Sequence, residues 1–301
     1  MFLESFTLPD RYTEEKLWAR KAAENGGQLG YVNNEYPCGI FSAKGLSEVY
    51  FAPVTIFYGG NGSGKSTLLN LIAEKLHLTR MAPFNSSEMF ALYAEACGFD
   101  PGYDDEGRPQ TIPEESRIIT SDDIFDYMLA VRTNNEEIAS RQQEGRDEWA
   151  RLKFGDTIKL SGMQDYEALR MQVLARSKSV SRRAFLRKTA GSEVRLISNG
   201  ETALKYFETT LLNDSLYCLD EPENSMSPKM QQDLVHLLTD MSRYCGCQLI
   251  IATHSPFLLA LEGARVYDLD TVPVTVRPWW ELENVRVYYD FFMSNRTKFD
   301  S

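Results

Sequence analysis

The stretch VTIFYGGNGSGKSTLLNLI, residues 54–72, decides how the rest of the chain is read. VTIFY is an unbroken run of β-branched and aromatic residues, the composition of a strand buried on both faces. Glycines at Gly59, Gly60, Gly62 and Gly64 follow at once, and without Cβ atoms they let backbone N–H groups turn inward around a phosphate. Beyond Thr67 the apolar residues Leu68, Leu69, Ile72 and Leu76 recur at spacings of three and four, so a helix follows and presents its positive N-terminus to the same loop. Gly59-Gly60-Asn61-Gly62-Ser63-Gly64-Lys65-Ser66 fits the pattern G-x-x-x-x-G-K-[ST]. In that pattern Lys65 bridges the β- and γ-phosphates of a nucleotide and the Ser66 hydroxyl binds Mg²⁺. The bare pattern arises by chance in roughly one chain of this length in a hundred, and the strand and helix on either side make chance a poorer explanation still.

Working outward, a second signal is Leu216-Tyr217-Cys218-Leu219-Asp220-Glu221-Pro222, four mainly apolar residues and then two acids. A buried strand that ends in adjacent carboxylates can place Asp220 at a metal ion and Glu221 at an attacking water. Ile197-Ser198-Asn199-Gly200-Glu201 opens a helix, with Ser198 lying 22 residues before Asp220, and Thr253-His254-Ser255-Pro256 follows the strand-like run QLIIA. A helix start with a free hydroxyl and a glycine amide is an anion site. Between them, a helix is expected from Pro228 to Tyr244, with Ser227 as its cap and Pro228 in the first position, where a missing N–H costs nothing. LYCLD and QLIIAT are buried strands of a mostly parallel sheet, and ARVYDLD, VPVTVRP and WWELENVRVYYDFFM add two strands and a closing aromatic-rich helix.

The flanks of this core read differently. Residues 1–58 carry strand-like runs broken by Gly, Asn and Pro, which makes the entry region β-rich. GFDPGYDDEGRPQTIPEES, residues 98–116, has three Pro, three Gly and six acids against one Arg and reads as a solvated loop. A short strand at 117–120 leads into a helix-favouring segment, 121–190, taken as a helical subdomain inserted into an α/β fold. The expected division is therefore 1–120, an N-terminal lobe with the phosphate loop; 121–190, the insertion; and 191–301, a C-terminal lobe.

Composition sets outer limits. The 301 residues are 43% hydrophobic with a formal net charge of -11, so the chain can bury a large core and is not globally disordered. An acidic balance argues against coating nucleic acid through bulk charge. It is unevenly spread: residues 121–190 hold 13 basic and 11 acidic side chains, so the remainder carries -13. RSKSVSRRAFLRK, residues 176–188, has six basic residues and no acid, which makes Arg182, Arg183 and Arg187 the candidate contacts for a nucleic acid, against the plainer reading of a solvated helix face. Cys38, Cys97, Cys218, Cys245 and Cys247 are odd in number and scattered, so reduced thiols are expected. No apolar run reaches the ~20 residues of a membrane span and the start lacks the pattern of a signal peptide, so no membrane insertion and a cytoplasmic location are expected.

Taken in order, the four segments resemble those of the ABC-type ATPase superfamily: Walker A at Gly59–Ser66, the signature motif at Ser198–Glu201, Walker B at Leu216–Glu221, then a D-loop and a switch histidine. The wording LDEPENSMSP and IIATHSPFLLA is closer still to the stand-alone soluble AAA-family ATPases of bacteria, relatives of the heads of chromosome-maintenance and recombination-repair ATPases and of the overcoming-lysogenization-defect proteins. The resemblance covers residues 48–80 and 194–296 well and the middle poorly. It implies a P-loop fold of ABC type, ATP and Mg²⁺ as cofactors, and ATP hydrolysis in a nucleotide-sandwiched homodimer. Gly59 to Gly64, Lys65, Ser66 and Thr67 would hold the nucleotide, Ser66 and Asp220 the metal. Glu221 would polarise water, His254 would contact the γ-phosphate, and Ser198 and Gly200 would reach the γ-phosphate of the opposite protomer, with Asn224–Ser227 as the D-loop coupling the two sites.

The sequence departs from the family pattern in places. The strand RIIT is followed by Ser121-Asp122-Asp123 where the family carries a glutamine, so Ser121 or Asp122 stands in for it. Asn199 and Glu201 replace the usual Gly and Gln of transporters, and Tyr36 is the one weak candidate for an adenine platform. The function expected is an ATP-driven conformational switch for an unidentified effector, in DNA maintenance or phage defence at the family level. The alternatives are the nucleotide-binding subunit of a membrane transporter and an ATP-gated binding module with little turnover. A small-molecule kinase fits less well, because Glu221 beside Asp220 suits water activation.

Overall fold

The computed structural model describes residues 1–24, 35–84, 86–104, 106–156, 166–176 and 198–299. They fall into two compact units, residues 1–125 with 199–301, and residues 126–198.

The first unit is built on β3 (Val54–Tyr58), β6 (Leu216–Asp220) and β7 (Gln248–Ala252). All residues of β3 and β7 and the first four of β6 are buried, as their continuous apolar runs require. Among the described residues these strands join β5 (Arg117–Ile119), β8 (Arg265–Asp268) and β9 (Thr275–Val276) in the order β5-β6-β7-β3-β8-β9. Every pairing is parallel except the last, β8 with β9. The register sets Asp220 beside Ala252 and Phe57 beside the same residue, so β6, β3 and β7 end on one edge. In an open parallel sheet that carboxyl edge is where ligands bind.

Helix α2 (Lys65–Lys75) leaves β3 through the glycine loop and buries Thr67, Leu68, Leu69, Leu71, Ile72 and Ala73. Its apolar side chains join one core with Phe57, Leu216, Cys218, Ile250 and Ala252 from the strands. The glycine that starts it, Gly64, has φ +101, and an added Cβ would sit 3.1 Å from Ile40 and 3.3 Å from Phe41. A side chain there meets strain and crowding together.

The N-terminal part forms a three-stranded antiparallel sheet, β2-β1-β4, from β1 (Leu3–Thr7), β2 (Glu48–Tyr50) and β4 (Gly98–Pro101). Two features depart from expectation. A 14-residue helix, α1 (Arg11–Glu24), follows β1; its segment RYTEEKLWARKAAE scatters charge around the helix and gives little periodic signal. β4 lies inside the stretch read as a solvated loop, and it forms because β1 offers a partner, with Phe6 opposite Phe99. Helix α3 (Glu88–Ala96) precedes it, capped by the Ser87 hydroxyl, which accepts from the Phe90 amide at 3.0 Å.

Helix α4 (Ser121–Phe154) runs from the first unit into the second, where α5 (Tyr166–Arg176) follows. Among the described residues of the second unit, Leu152 and Ala175 are buried together, with Trp149, Met171 and Leu174 packed against them. The Arg176 guanidinium donates to the carbonyls of Leu152 at 3.2 Å and Gly155 at 2.6 Å. The basic residues Arg182, Arg183 and Arg187 and the expected strand at 194–198, save Ser198, lie outside the described residues.

The chain then returns to the first unit with α6 (Asn199–Thr210), α7 (Pro228–Tyr244), the short α8 (Pro256–Leu259) and, after a 3₁₀ turn at Trp279–Glu281, α9 (Glu283–Ser294). Pro228 opens α7 as anticipated, but Ser227, at the N-cap position, makes no side-chain capping bond. No described helix is long and apolar enough to cross a membrane. The five cysteines are free thiols.

Candidate active site

The loop after β3 is shaped largely by its own carbonyls. Lys65, only 5% exposed, folds its ammonium back to donate to the carbonyls of Gly59 at 2.7 Å and Gly60 at 3.1 Å. Two residues outside the loop brace it. Lys44 donates to the carbonyls of Ser63 and Leu269, both at 2.6 Å, and Asp270 accepts the Gly60 amide at 2.8 Å. Burial pushes the Lys44 ammonium down from its ordinary range, while Asp270 and Asp268 pull it back up.

Across the edge, the Ser66 hydroxyl donates to Asp220 Oδ1 at 3.0 Å, joining the start of α2 to the end of β6. Burial raises the Asp220 carboxyl to about 6, against the Ser66 hydrogen bond and Lys65, which lower it; Glu221 adds to the rise. Glu221 itself has φ +47, a left-handed conformation rare for a residue with a long side chain. Its backbone N–H donates to Ala252 O at 2.9 Å, and its carboxylate is met from two sides, by Asn224 Nδ2 at 3.2 Å and by His254 Nδ1 at 3.5 Å.

Asp220, Glu221, His254, Lys65 and Ser66 are thus brought to one edge by β3, β6 and β7. Thr67 is buried in α2, with its hydroxyl accepting from Tyr36 at 2.9 Å. The Tyr36 ring stacks on Phe90, centroids 5.8 Å apart, so one of its faces is already covered. Asn61 and Gly62 are exposed at the tip of the loop. Ser198 is exposed just ahead of α6, while Gly200 is buried, and a Cβ on it would overlap the Met230 sulfur and lie 3.4 Å from Ser225 O. At the position of the family's glutamine, Ser121 and Asp122 open α4, and the buried residue is Asp123. It accepts from the Thr120 amide and hydroxyl at 2.7 and 2.8 Å and from the Ala82 amide at 2.7 Å.

The sequence reading missed Lys44, Asp270, Glu223 and Arg80. Arg80 is half-buried with its guanidinium over the Phe84 ring, 4.1 Å from the centroid, and bonded to Asn70 one turn along α2 from Ser66. Lys44, Asp270 and Glu223 act across 30 to 225 residues, so no local pattern marks them, and Arg80 is a lone cation whose partners lie four and ten residues away.

The donor set fits a Mg²⁺-bound triphosphate. Lysine and backbone amides suit phosphate oxygens, and a hydroxyl paired with a carboxylate suits a hard cation. The Ser63 hydroxyl, buried in the loop without a hydrogen-bond partner, is a donor that such a ligand would satisfy. The fold is a mixed α/β one of P-loop type, its six-stranded sheet mostly parallel and flanked by helices.

Solved structures to which the chain is similar include the SMC head domain from Thermotoga maritima, 16% identical over 92% of this chain and 99% of that one, TM-score 0.39. Another is the Smc head domain from Pyrococcus furiosus bound to the C-terminal domain of ScpA, 12% identical over 81% and 94%, TM-score 0.40. A third is an ATP-binding cassette in a dimeric post-hydrolysis state with ADP and Pi, 15% identical over 77% and 88%, TM-score 0.36. No curated protein matches the chain. A family model described as "AAA domain, putative AbiEii toxin, Type IV TA system" matches residues 74–260, more than half of the chain, and the chain belongs to that family.

Proposed function

We propose that the chain binds ATP with Mg²⁺ and hydrolyses it between two copies of itself, and that this cycle switches the conformation of an effector. The observation that carries the reading is the Ser66–Asp220 hydrogen bond with Glu221 and His254 beside it. Phosphate donors, a metal-binding pair and a carboxylate suited to water activation share one edge.

Lys65 would exchange its loop carbonyls for phosphate oxygens, and the backbone from Gly59 to Gly64 would surround them. Ser66 and Asp220 would hold Mg²⁺, which when bound draws negative charge from the phosphoryl oxygens. Glu221 would accept the proton of the attacking water on a carboxylate oxygen, and His254 would orient the γ-phosphate end. Ser198 and Gly200 of a second copy would complete the site, with Asn224–Ser227 between the two. Arg182, Arg183 and Arg187 are the residues through which a nucleic acid would act as the input, and their replacement should abolish any salt-dependent DNA binding.

The test is phosphate release by wild-type and Glu221→Gln protein with oligomeric state followed, with and without DNA. Wild type should turn over, and Glu221→Gln should lose roughly 100-fold or more of the rate and accumulate as an ATP-bound dimer. Equal slow release by both would replace the enzyme with an ATP-gated binding module.

A further inference from the structure

His254 is carried by three residues of which only the middle one faces out. Thr253 is fully buried and Ser255 is 4% exposed, whereas the His254 side chain is 47% exposed. The Thr253 amide still bonds to Phe57 O at 3.2 Å, as a last rung against β3, and beyond it the chain leaves the sheet. The next two amides therefore lack strand partners. Glu223 Oε1 accepts from His254 N at 3.3 Å, from the Thr253 hydroxyl, and from Ser255 N at 3.2 Å, an amide it shares with Thr253 Oγ1 at 3.0 Å.

Glu223 is 5% exposed, and its other oxygen, Oε2, is buried with no hydrogen-bond partner. A half-satisfied buried carboxylate is a poor device for stability alone, since the unpaired oxygen forfeits its hydration. A second arm holds the same turn. The Ser255 hydroxyl donates to Gln231 Oε1 at 2.7 Å, and Gln231 Nε2 donates to Met226 O at 3.1 Å. Met226 is bonded in turn to Glu223 through their backbones at 3.0 Å. The segment 223–226 and the turn 253–255 are thus closed into one ring, with Glu221 and His254 3.5 Å apart at its outer rim.

We infer that Glu223 is a positioning residue that fixes His254 against Glu221, and that Gln231 ties this setting to segment 224–227. The inference rests on the ATPase reading for its effect on turnover, but not for its structural part. A shift of 224–227 when a second copy docks would move the same ring that aims His254, which makes histidine placement sensitive to dimerisation.

The experiment uses the full chain with labelled histidines. There are only three, His77, His236 and His254, and a His254→Asn variant assigns the third imidazole signal. Glu223→Ala should shift or broaden the His254 signal and leave the other two in place. It should lower kcat roughly 10- to 100-fold with KM for ATP held within about threefold. Glu223→Gln, which keeps an acceptor oxygen, should restore both the signal and most of the rate. An unmoved His254 signal in Glu223→Ala overturns the inference, and so does a parallel shift of all three signals with a lowered Tm. If Glu223→Ala does not fold, Gln231→Ala carries the same readout, and an unchanged His254 signal there is equally fatal. Should wild type fail to hydrolyse ATP, the proposed function falls while the imidazole signals still decide the placement of His254.

Discussion

The two loops that meet at the carboxyl edge solve the same backbone problem in opposite ways. The loop at 59–66 turns through glycines, and Gly62 and Gly64 take φ values of +78 and +101 at no side-chain cost. The loop at 220–227 turns as sharply with Glu221 at φ +47 and Ser225 at φ +68, residues for which the left-handed region is unfavourable by roughly 1–2 kcal/mol. The first loop is braced by Lys44 and Asp270 from outside it, whereas the second supplies its own brace, Glu223, whose carboxylate bonds to the turn at 253–255. The difference teaches that the phosphate loop needs bare backbone amides, whereas the acid loop needs a side chain at its strained position and accepts the strain.

The comparison breaks most visibly at its chemical ends. Lys65→Ala removes the one buried ammonium of the glycine loop, and ATP hydrolysis should fall by roughly 100-fold or more, measured as phosphate release. Next in size, Gly64→Ala puts a Cβ against Ile40 and Phe41 at a left-handed φ and should destabilise the fold by about 2–3 kcal/mol, read from urea unfolding. Gly200→Ala should cost about 1–2 kcal/mol through its overlap with Met230. The double variant with Met230→Ala should show a coupling of about 0.5–1 kcal/mol in a mutant cycle, because the flexible thioether is what the new methyl meets. Ser225→Gly should be the smallest effect, a gain of about 0.5 kcal/mol as left-handed strain is relieved. A loss of stability there would mean that the serine conformation is not strained and that the contrast between the loops is false.

How much of this was readable beforehand follows the same line. β3, β6 and β7 were legible because strands buried on both faces are written as unbroken apolar runs. The loop at 59–66 was legible because its conformation demands glycine. Helix α1 was not, since its charges fall on every side and tertiary packing decides its existence. β4 was not, since Gly and Pro within GFDP are turn signals and only the partner strand β1 overrides them. At the site, Asp220, Glu221 and His254 stood out through their place after apolar strands. Glu223 did not, because one more acid behind two others reads as solvated charge, and its partners lie 30 to 32 residues away. Lys44 and Asp270 are separated by most of the chain, and each reaches the glycine loop from its own side, Lys44 at Ser63 O and Asp270 at Gly60 N, Asp270 lying just past β8, which pairs with β3.

That pairing also fixes when the molecule can come together. β3 has β7 on one side and β8 on the other, so its neighbours occupy residues 248–268, while β1 is clamped by the Gln248 side chain, which bonds to the backbone of Phe2 and Leu3 across about 245 positions. A growing chain therefore carries the glycine loop on an unpaired strand, without its Asp270 brace, until most of its length has been made. Contacts this distant in sequence close slowly. In the interval the apolar β3 depends on the late arrival of β7 and β8 for shelter, and a chain cut short before Gln248 would have no central sheet to hold a nucleotide.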